Sequence, residues 1–219
     1  MIKLAIVVGH NEQAQGAVRA ADGVTEFAWN SDLARIMHDL APADTAVFYR
    51  RAGPNEIRDA YRMVDQWGPS RSVELHFNSF TDPSAGGTET LYAESSGAGH
   101  HLAVDVQAAM VEALGLRNRG LKPTPRSGRG GASLHAGRAP AVLVEPYFGS
   151  NPTECAIADQ RKTTLAVAIL RGCGIDVPAE PLSAPPTVMT PEPMVLRLAE
   201  RVASLEARVA RLEGNAPVG

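Results

Sequence analysis

The chain opens on an apolar run over residues 2–8, rich in Ile and Val, and this run constrains the fold more than any other feature. An apolar segment of this length is typical of a strand buried on both faces, as in a parallel sheet covered by helices. Further short strands are predicted over residues 45–49, 72–77, 88–93 and 141–145.

Segments with the apolar spacing of helices separate these strands. Strands that alternate with helices predict an α/β domain with a mostly parallel central sheet and helices on both faces. The Gly-, Pro- and Arg-rich segment 117–140 is predicted to be a long surface loop. The helices are expected over residues 25–40, 54–67, 99–114 and 152–171.

The α/β domain is expected to span residues 1–176, followed by a Pro-rich linker over 177–193. In the segment 194–214, Val and Leu alternate at spacings of three and four, as at the a and d positions of a parallel two-stranded coiled coil. We therefore predict a homodimer formed through residues 195–212. The alternative is a helix docked on its own domain, because so short a coiled coil is marginal in isolation.

Composition and charge argue against several classes of function. The formal net charge of −3 gives no support to nucleic-acid binding. No apolar run reaches the roughly 18 residues of a membrane-spanning helix. The N-terminal run is too short for a signal peptide, so we expect synthesis in the cytoplasm without one. Cys155 and Cys173 are expected to be free thiols.

Four side chains able to bind a metal or move a proton are predicted to meet at the carboxyl edge of the sheet, where ligands collect. His10, His76 and Glu145 each follow or end a predicted strand, and Glu26 opens the first helix. Two His and one carboxylate make a catalytic zinc set that leaves a position for water. A second carboxylate is then needed to accept the water proton. Glu145 suits such a role. A carboxylate buried at the end of an apolar strand is costly unless a metal, a proton or a cationic partner compensates its charge.

Short motifs around these residues resemble the zinc-dependent N-acetylmuramoyl-L-alanine amidases of type 3. A strand ending in Gly-His matches Gly9-His10, and a Glu opening the next helix matches Glu26. The family's Ser-x-His-x-Asn corresponds to residues 74–78, and its next strand resembles Gly-Gly-Thr-Glu-Thr-Leu-Tyr at 86–92. The run Pro-Ala-Val-Leu-Val-Glu-Pro-Tyr-Phe-Gly-Ser-Asn at 140–151 matches the segment with the family's catalytic Glu.

This resemblance covers about residues 2–175. It implies that the protein cleaves the amide between the lactyl group of muramic acid and L-alanine of the peptidoglycan stem peptide. It also implies that His10, Glu26 and His76 bind one Zn²⁺ per chain, with Glu145 as the general base.

The sequence departs from the family pattern near two of these ligands. The family has Asp-Pro-Gly-His-Gly-Gly around the first His, whereas residues 7–12 read Val-Val-Gly-His-Asn-Glu. The missing Asp is expected to alter the support of His10, and Glu12 becomes a rival ligand. Glu74 stands where the family usually has a small residue, two positions before His76.

The segment 117–138 contains no Asp or Glu and is rich in Arg and Lys. Because stem peptides carry carboxylates, we predict that Arg126 and Arg129 bind the substrate, and we assign Asn78 to substrate binding as well. The alternative is a solvated loop whose charge serves solubility.

Two other functions remain open at this point. One is a zinc hydrolase of another peptide-like amide, and the other is a non-catalytic cell-wall-binding protein on the same fold. The family's housekeeping members are generally exported. A member made without a leader resembles a phage or prophage endolysin, which acts on the wall after release. A coiled-coil dimer would then present two catalytic domains to a polymeric substrate.

Overall fold

The computed structural model describes residues 2–177. A six-stranded sheet runs through their centre in the order β2-β1-β3-β6-β4-β5. Only β4 and β6 pair in antiparallel fashion, and the other neighbours are parallel. The strands are β1 (Leu4–Val8), β2 (Thr45–Tyr49), β3 (Arg71–Leu75), β4 (Thr88–Ala93), β5 (Asn118–Thr124) and β6 (Ala141–Glu145).

Helices cover both faces of this sheet. The helices are α1 (Glu26–Leu40), α2 (Glu56–Trp67), α3 (Gly97–Leu114), α4 (Gly131–Leu134), α5 (Pro152–Gln160) and α6 (Lys162–Gly172). The predicted α/β class, the mostly parallel sheet and the two helical layers are confirmed.

The first strand shows why the opening apolar run determines this architecture. Leu4, Ile6 and Val8 are fully buried in the main core, which is shared with α1, α3 and α6. The alternate residues Ala5 and Val7 are equally buried on the opposite face, in a smaller core shared with α2. A strand with both faces buried can only lie inside a covered sheet.

Two sequence predictions about elements are wrong. The segment 117–140 is not one long loop, because it contains β5 and the short helix α4. β5 was obscured by Pro123 and by Gly120, which has a φ of 77°. An edge strand tolerates both residues because one side of it makes no ladder hydrogen bonds. The predicted last helix is also two helices, which meet at Arg161 with a non-helical ψ of 17°.

The segments beyond residue 177, for which the sequence makes three predictions, lie outside the described residues. These are the Pro-rich linker beyond Val177, the coiled coil at 194–214 and the dimer contact at 195–212. Within residues 2–177, no helix combines the length and the apolar character needed to cross a membrane.

Candidate metal and catalytic centre

His10, Glu26 and His76 lie together at the carboxyl ends of β1 and β3. His10 Nε2 is 3.1 Å from Glu26 Oε2, and His76 Nδ1 is 2.7 Å from Glu26 Oε1. One ligand atom from each residue lies within 4.8 Å of the other two. Among the described residues, these three are the group of His, Cys, Asp or Glu side chains whose ligand atoms lie close enough together to hold a metal ion. Glu12, considered as a rival ligand, is exposed and lies outside it.

Glycines allow the two histidines to approach each other. A Cβ at Gly9 would collide with the His76 ring and with Leu75 O, so only Gly fits between the two strand ends. Gly16 has a φ of 75°, and a Cβ there would lie 2.6 Å from His10 Cδ2 and 2.7 Å from Glu26 Oε2. His10 itself has a φ of 66°, a conformation that non-glycine residues adopt rarely and that often marks a functional site.

Glu26 is held in place by the start of α1. Thr25 caps this helix by accepting a hydrogen bond from Ala28 N. The Glu26 carboxylate accepts further hydrogen bonds from Ala17 N at 3.1 Å and Phe77 N at 3.2 Å. Because both oxygens are already positioned by the backbone, the carboxylate is preorganised toward the two histidines.

The contacts within the cluster shift the pKa values of Glu26 and His76 in opposite directions. Burial alone would raise the pKa of Glu26, but the hydrogen bonds from His10 and His76 lower it to about 2. Burial alone would lower the pKa of His76, but the contacts with Glu26 and Glu74 raise it to about 10. The site therefore favours a positive charge beside Glu26, and a divalent metal ion would supply one. This donor set, two imidazoles and a carboxylate, fits Zn²⁺.

Glu145 ends β6 and faces the same space. It is only 4% exposed, and its Oε2 atom is buried without a hydrogen-bond partner among residues 2–177. Burial raises the pKa of Glu145 to about 7, with His76 opposing the increase and Glu26 adding to it. A carboxyl that titrates near neutrality and keeps one oxygen free has the properties of a general base.

A second carboxylate, Glu89, lies opposite Glu145 in the antiparallel β4–β6 pair. Two buried carboxylates in register would repel each other, but the Arg129 guanidinium lies against both, 2.9 Å from Glu89 Oε1 and 3.3 Å from Glu145 Oε1. Arg119 Nε adds a 2.8 Å contact to Glu89 Oε2. Sequence reasoning missed Glu89, although its motif at 86–92 was recognised.

The three predicted substrate-binding residues occupy different positions. A cavity of about 510 Å³ is lined by the three side chains of the His–Glu–His cluster, and also by Glu145, Arg126 and Arg129. Arg126 is exposed at this cavity, whereas Arg129 is already paired with the two carboxylates. Asn78 is buried behind Arg129, where it donates to Glu89 at 2.8 Å and accepts from Arg129 at 3.1 Å. Its contacts suit a residue that holds Arg129 in place.

A buried polar network behind His76 was not foreseen either. Glu74 accepts hydrogen bonds from His76 Nε2 at 2.9 Å and from Tyr61 OH at 2.7 Å, and it forms an ion pair with Arg50. Arg50 also donates to Ser133 Oγ at 2.8 Å. The unusual Glu at position 74 was the available signal in the sequence. The partners of Glu74 could not be predicted from the sequence, because they depend on which strands and helices are neighbours in the fold.

The fold and this centre define an α/β protein with a His–Glu–His cluster suited to a divalent metal and a buried carboxylate facing it. The family Amidase_3, described as N-acetylmuramoyl-L-alanine amidase, matches residues 4–174. The chain belongs to this family. Its enzyme class is therefore that of the N-acetylmuramoyl-L-alanine amidases, with peptidoglycan as the substrate class.

Solved structures share the fold. The catalytic domain of CwlV, an N-acetylmuramoyl-L-alanine amidase from Bacillus (Paenibacillus) polymyxa var. colistinus, is 22% identical with a TM-score of 0.66, covering 78% of this chain and 96% of that one. The N-acetylmuramoyl-L-alanine amidase of Clostridium difficile 630 is 22% identical with a TM-score of 0.67, and the match covers 78% of this chain and 94% of that one. The catalytic domain of the CD27L endolysin, which targets Clostridia difficile, is 22% identical with a TM-score of 0.68, and the match covers 81% of this chain and 99% of that one. No curated protein matches the chain.

Proposed function

We propose that the protein hydrolyses the amide between the lactyl group of muramic acid and L-alanine, with Zn²⁺ held by His10, Glu26 and His76 and with Glu145 as the general base. The observation that carries this proposal is that Glu145, with one carboxylate oxygen unpartnered among the described residues, lines the same cavity as the three-ligand cluster. When bound, the zinc ion would polarise the substrate carbonyl and acidify a water molecule.

The proton transfers are assigned to residues of the chain itself. Glu145 accepts the proton of the attacking water and returns it to the leaving amine of L-alanine, so that the carbonyl carbon gains the hydroxyl and the C–N bond breaks. A pKa raised by burial makes this carboxylate basic enough for the first transfer and its acid form acidic enough for the second. Arg129 contacts the other Glu145 oxygen, Oε1, at 3.3 Å and leaves Oε2 free to accept the proton.

The test compares the wild type with Glu145→Gln on purified peptidoglycan, with zinc content measured in both. We expect the variant to retain about one zinc per chain and to lose at least roughly 100-fold in rate, since a positioned acid–base group contributes about that much. Products should show free L-alanine amino termini and intact glycan. Equal rates in the two proteins would refute the role of Glu145, and new termini inside the stem peptide would instead indicate another zinc hydrolase.

Arg126 is proposed to bind a carboxylate of the stem peptide. It is exposed in the cavity that holds the centre, and it also lines a second cavity that adjoins this one and shares Ile57 and Ala132 with it. Arg126→Glu is expected to raise KM on soluble muropeptides by about 5-fold or more, since a charge-assisted contact is worth about 1 kcal/mol or more.

Arg117→Glu provides the matched control for this measurement. Arg117 is exposed in the same basic segment but lines neither cavity, so the same change of charge should leave KM unaltered. If Arg126→Glu also leaves KM unchanged, the segment serves solubility rather than binding.

Release to the wall and a phage or prophage origin stay predictions. They bear on where the reaction occurs and not on its chemistry.

A further inference from the structure

The carboxylate of Glu74 is buried completely and directed at a proposed metal ligand. It is 1% exposed, and its Oε1 atom lies 2.9 Å from His76 Nε2, on the side of the ring opposite to Glu26. His76 therefore lies between two carboxylates, with Nδ1 toward the cluster and Nε2 toward Glu74. A ring in this arrangement has its orientation and its tautomer fixed by the outer carboxylate.

Glu74 is itself held by groups from separate elements. Tyr61 OH, from α2, donates to Oε2 at 2.7 Å, and the Arg50 guanidinium, which follows β2, pairs with Oε1. Arg50 is held in turn by Ser133 Oγ of α4 at 2.8 Å. All four side chains are buried, so the network is shielded from solvent and fixes Glu74 in one position.

The register of the sheet connects Glu74 with the other departure from the family pattern. Val7 of β1 and Glu74 of β3 are direct partners in a parallel pair, and partners in register point to the same face of a sheet. Position 7 is where the family pattern has Asp, and position 74 is where it has a small residue. This chain thus lacks one carboxylate on β1 and gains one on the neighbouring strand.

We propose that Glu74 is a positioning residue for His76, so that this chain supports its metal site through a carboxylate on β3 in place of the carboxylate that the family pattern has at position 7 on β1. This inference rests on the zinc site of the proposed function. Its consequence is that the affinity for zinc depends on Glu74, even though Glu74 is not one of the three proposed ligands.

The test measures the zinc dissociation constant by competition with a chelator, together with thermal unfolding of the metal-free protein. The wild type, Glu74→Gln, Glu74→Ser and the exchange variant Val7→Asp/Glu74→Ser are compared. We expect Glu74→Gln and Glu74→Ser to weaken zinc binding by roughly 10- to 100-fold, as loss of an outer carboxylate commonly does. The exchange variant should recover a measurable part of the loss, because it returns a carboxylate to the same face of the sheet.

The outcomes separate the two proposals. A wild type that binds no stoichiometric zinc overturns the proposed function and this inference together. A wild type that binds zinc, with Glu74→Gln within twofold of it, overturns the role of Glu74 alone. Failure of the exchange variant to exceed Glu74→Ser overturns the transfer of the role between strands.

A milder variant covers the case in which Glu74→Gln does not fold. Tyr61→Phe removes one hydrogen bond to Glu74 and leaves every contact of His76 in place. It should weaken zinc binding by roughly threefold or more, corresponding to one lost hydrogen bond in the network. An unchanged dissociation constant in this variant would contradict the positioning role.

Discussion

Glu145 combines two properties that oppose each other, since its burial favours the reaction and disfavours the folded protein. Its Oε2 has no partner in the part of the chain that the structure describes, and its carboxyl is removed from water at the end of a fully buried strand. A charged carboxylate in this position is costly. The activity and the stability of the protein should therefore respond to pH in opposite directions.

The stability half of this expectation can be tested with Glu145→Gln in metal-free protein. Because burial raises the folded-state pKa from 4.5 to about 7, the folded state binds more protons than the unfolded state between these values. Stability then falls as pH rises through this interval, and the full cost is present above about pH 7. At pH 8 the variant should be more stable than the wild type by roughly 1–3 kcal/mol in denaturant unfolding. The difference should vanish near pH 4, and a constant difference at both pH values would contradict the assignment.

The activity half predicts a rise of kcat/KM with pH. The proton-accepting form of Glu145 is depleted below about pH 7, and a bound dication nearby would move this inflection lower, not higher. A profile of kcat/KM between pH 5 and 8 measures it. A rate that falls over this range while zinc stays bound would be incompatible with Glu145 as the base.

At the scale of elements, an ion pair fastens the segment between β1 and α1. Arg19 is 3% exposed, and its guanidinium contacts Asp159 of α5 through two hydrogen bonds of 2.7 and 2.6 Å. Asp159 Oδ1 also accepts a hydrogen bond from Trp29 Nε1 at 2.8 Å. This segment contains His10 and Gly16, so the pair stabilises the loop from which one proposed ligand comes.

Asp159→Asn is expected to destabilise the protein by about 1–2 kcal/mol, because, among the described residues, it leaves the buried Arg19 with only Asp22 as an anionic partner. The hydrogen bond from Arg19 lowers the pKa of Asp159, so this stabilisation is present above the ordinary value of 3.8 and is lost only as pH falls below it. Denaturant unfolding at pH 7 and at pH 3 measures both effects. The exposed pair of Arg35 with Asp39 offers a control, since Asp39→Asn should leave the free energy of unfolding nearly unchanged.

Elements were predictable where a single local pattern decides them. The apolar run of β1 and the helical spacing of α1 determine burial without reference to the rest of the chain. β5 escaped prediction because its Pro123 and Gly120 are acceptable only on an edge, and the sequence does not tell which strand lies at the edge.

The same distinction applies to the site. His10, His76 and Glu145 were recognisable because strand ends gather at one edge of a parallel sheet, and Glu26 because of a motif. The partners Glu74 and Glu89 depend on strand register, as in Val7 beside Glu74 and Glu89 beside Glu145. Register is a property of the assembled sheet, so a local pattern does not contain it.

At the scale of the whole molecule, the expected coiled coil predicts a dimer of catalytic domains. The full chain should have twice the mass of one chain in light scattering, whereas a chain ending at Val177 should be monomeric. Both should cleave soluble muropeptide at equal rates per chain, since the described centre is contained in residues 2–177. On insoluble peptidoglycan the full chain should be faster, because two linked domains rebind a polymer more readily. A monomeric full chain would instead support a helix docked on its own domain.

The order of the strands in the sheet differs from their order along the chain, and this difference has a consequence for biosynthesis. β6, the last of the described strands to leave the ribosome, inserts between β3 and β4, which are made earlier. Such non-local insertion is a slow step of folding. A nascent chain therefore exposes all three proposed ion ligands long before it contains the proton acceptor at its final position. Every translation intermediate up to that insertion would be hydrolytically silent, and activity would appear only with the complete sheet.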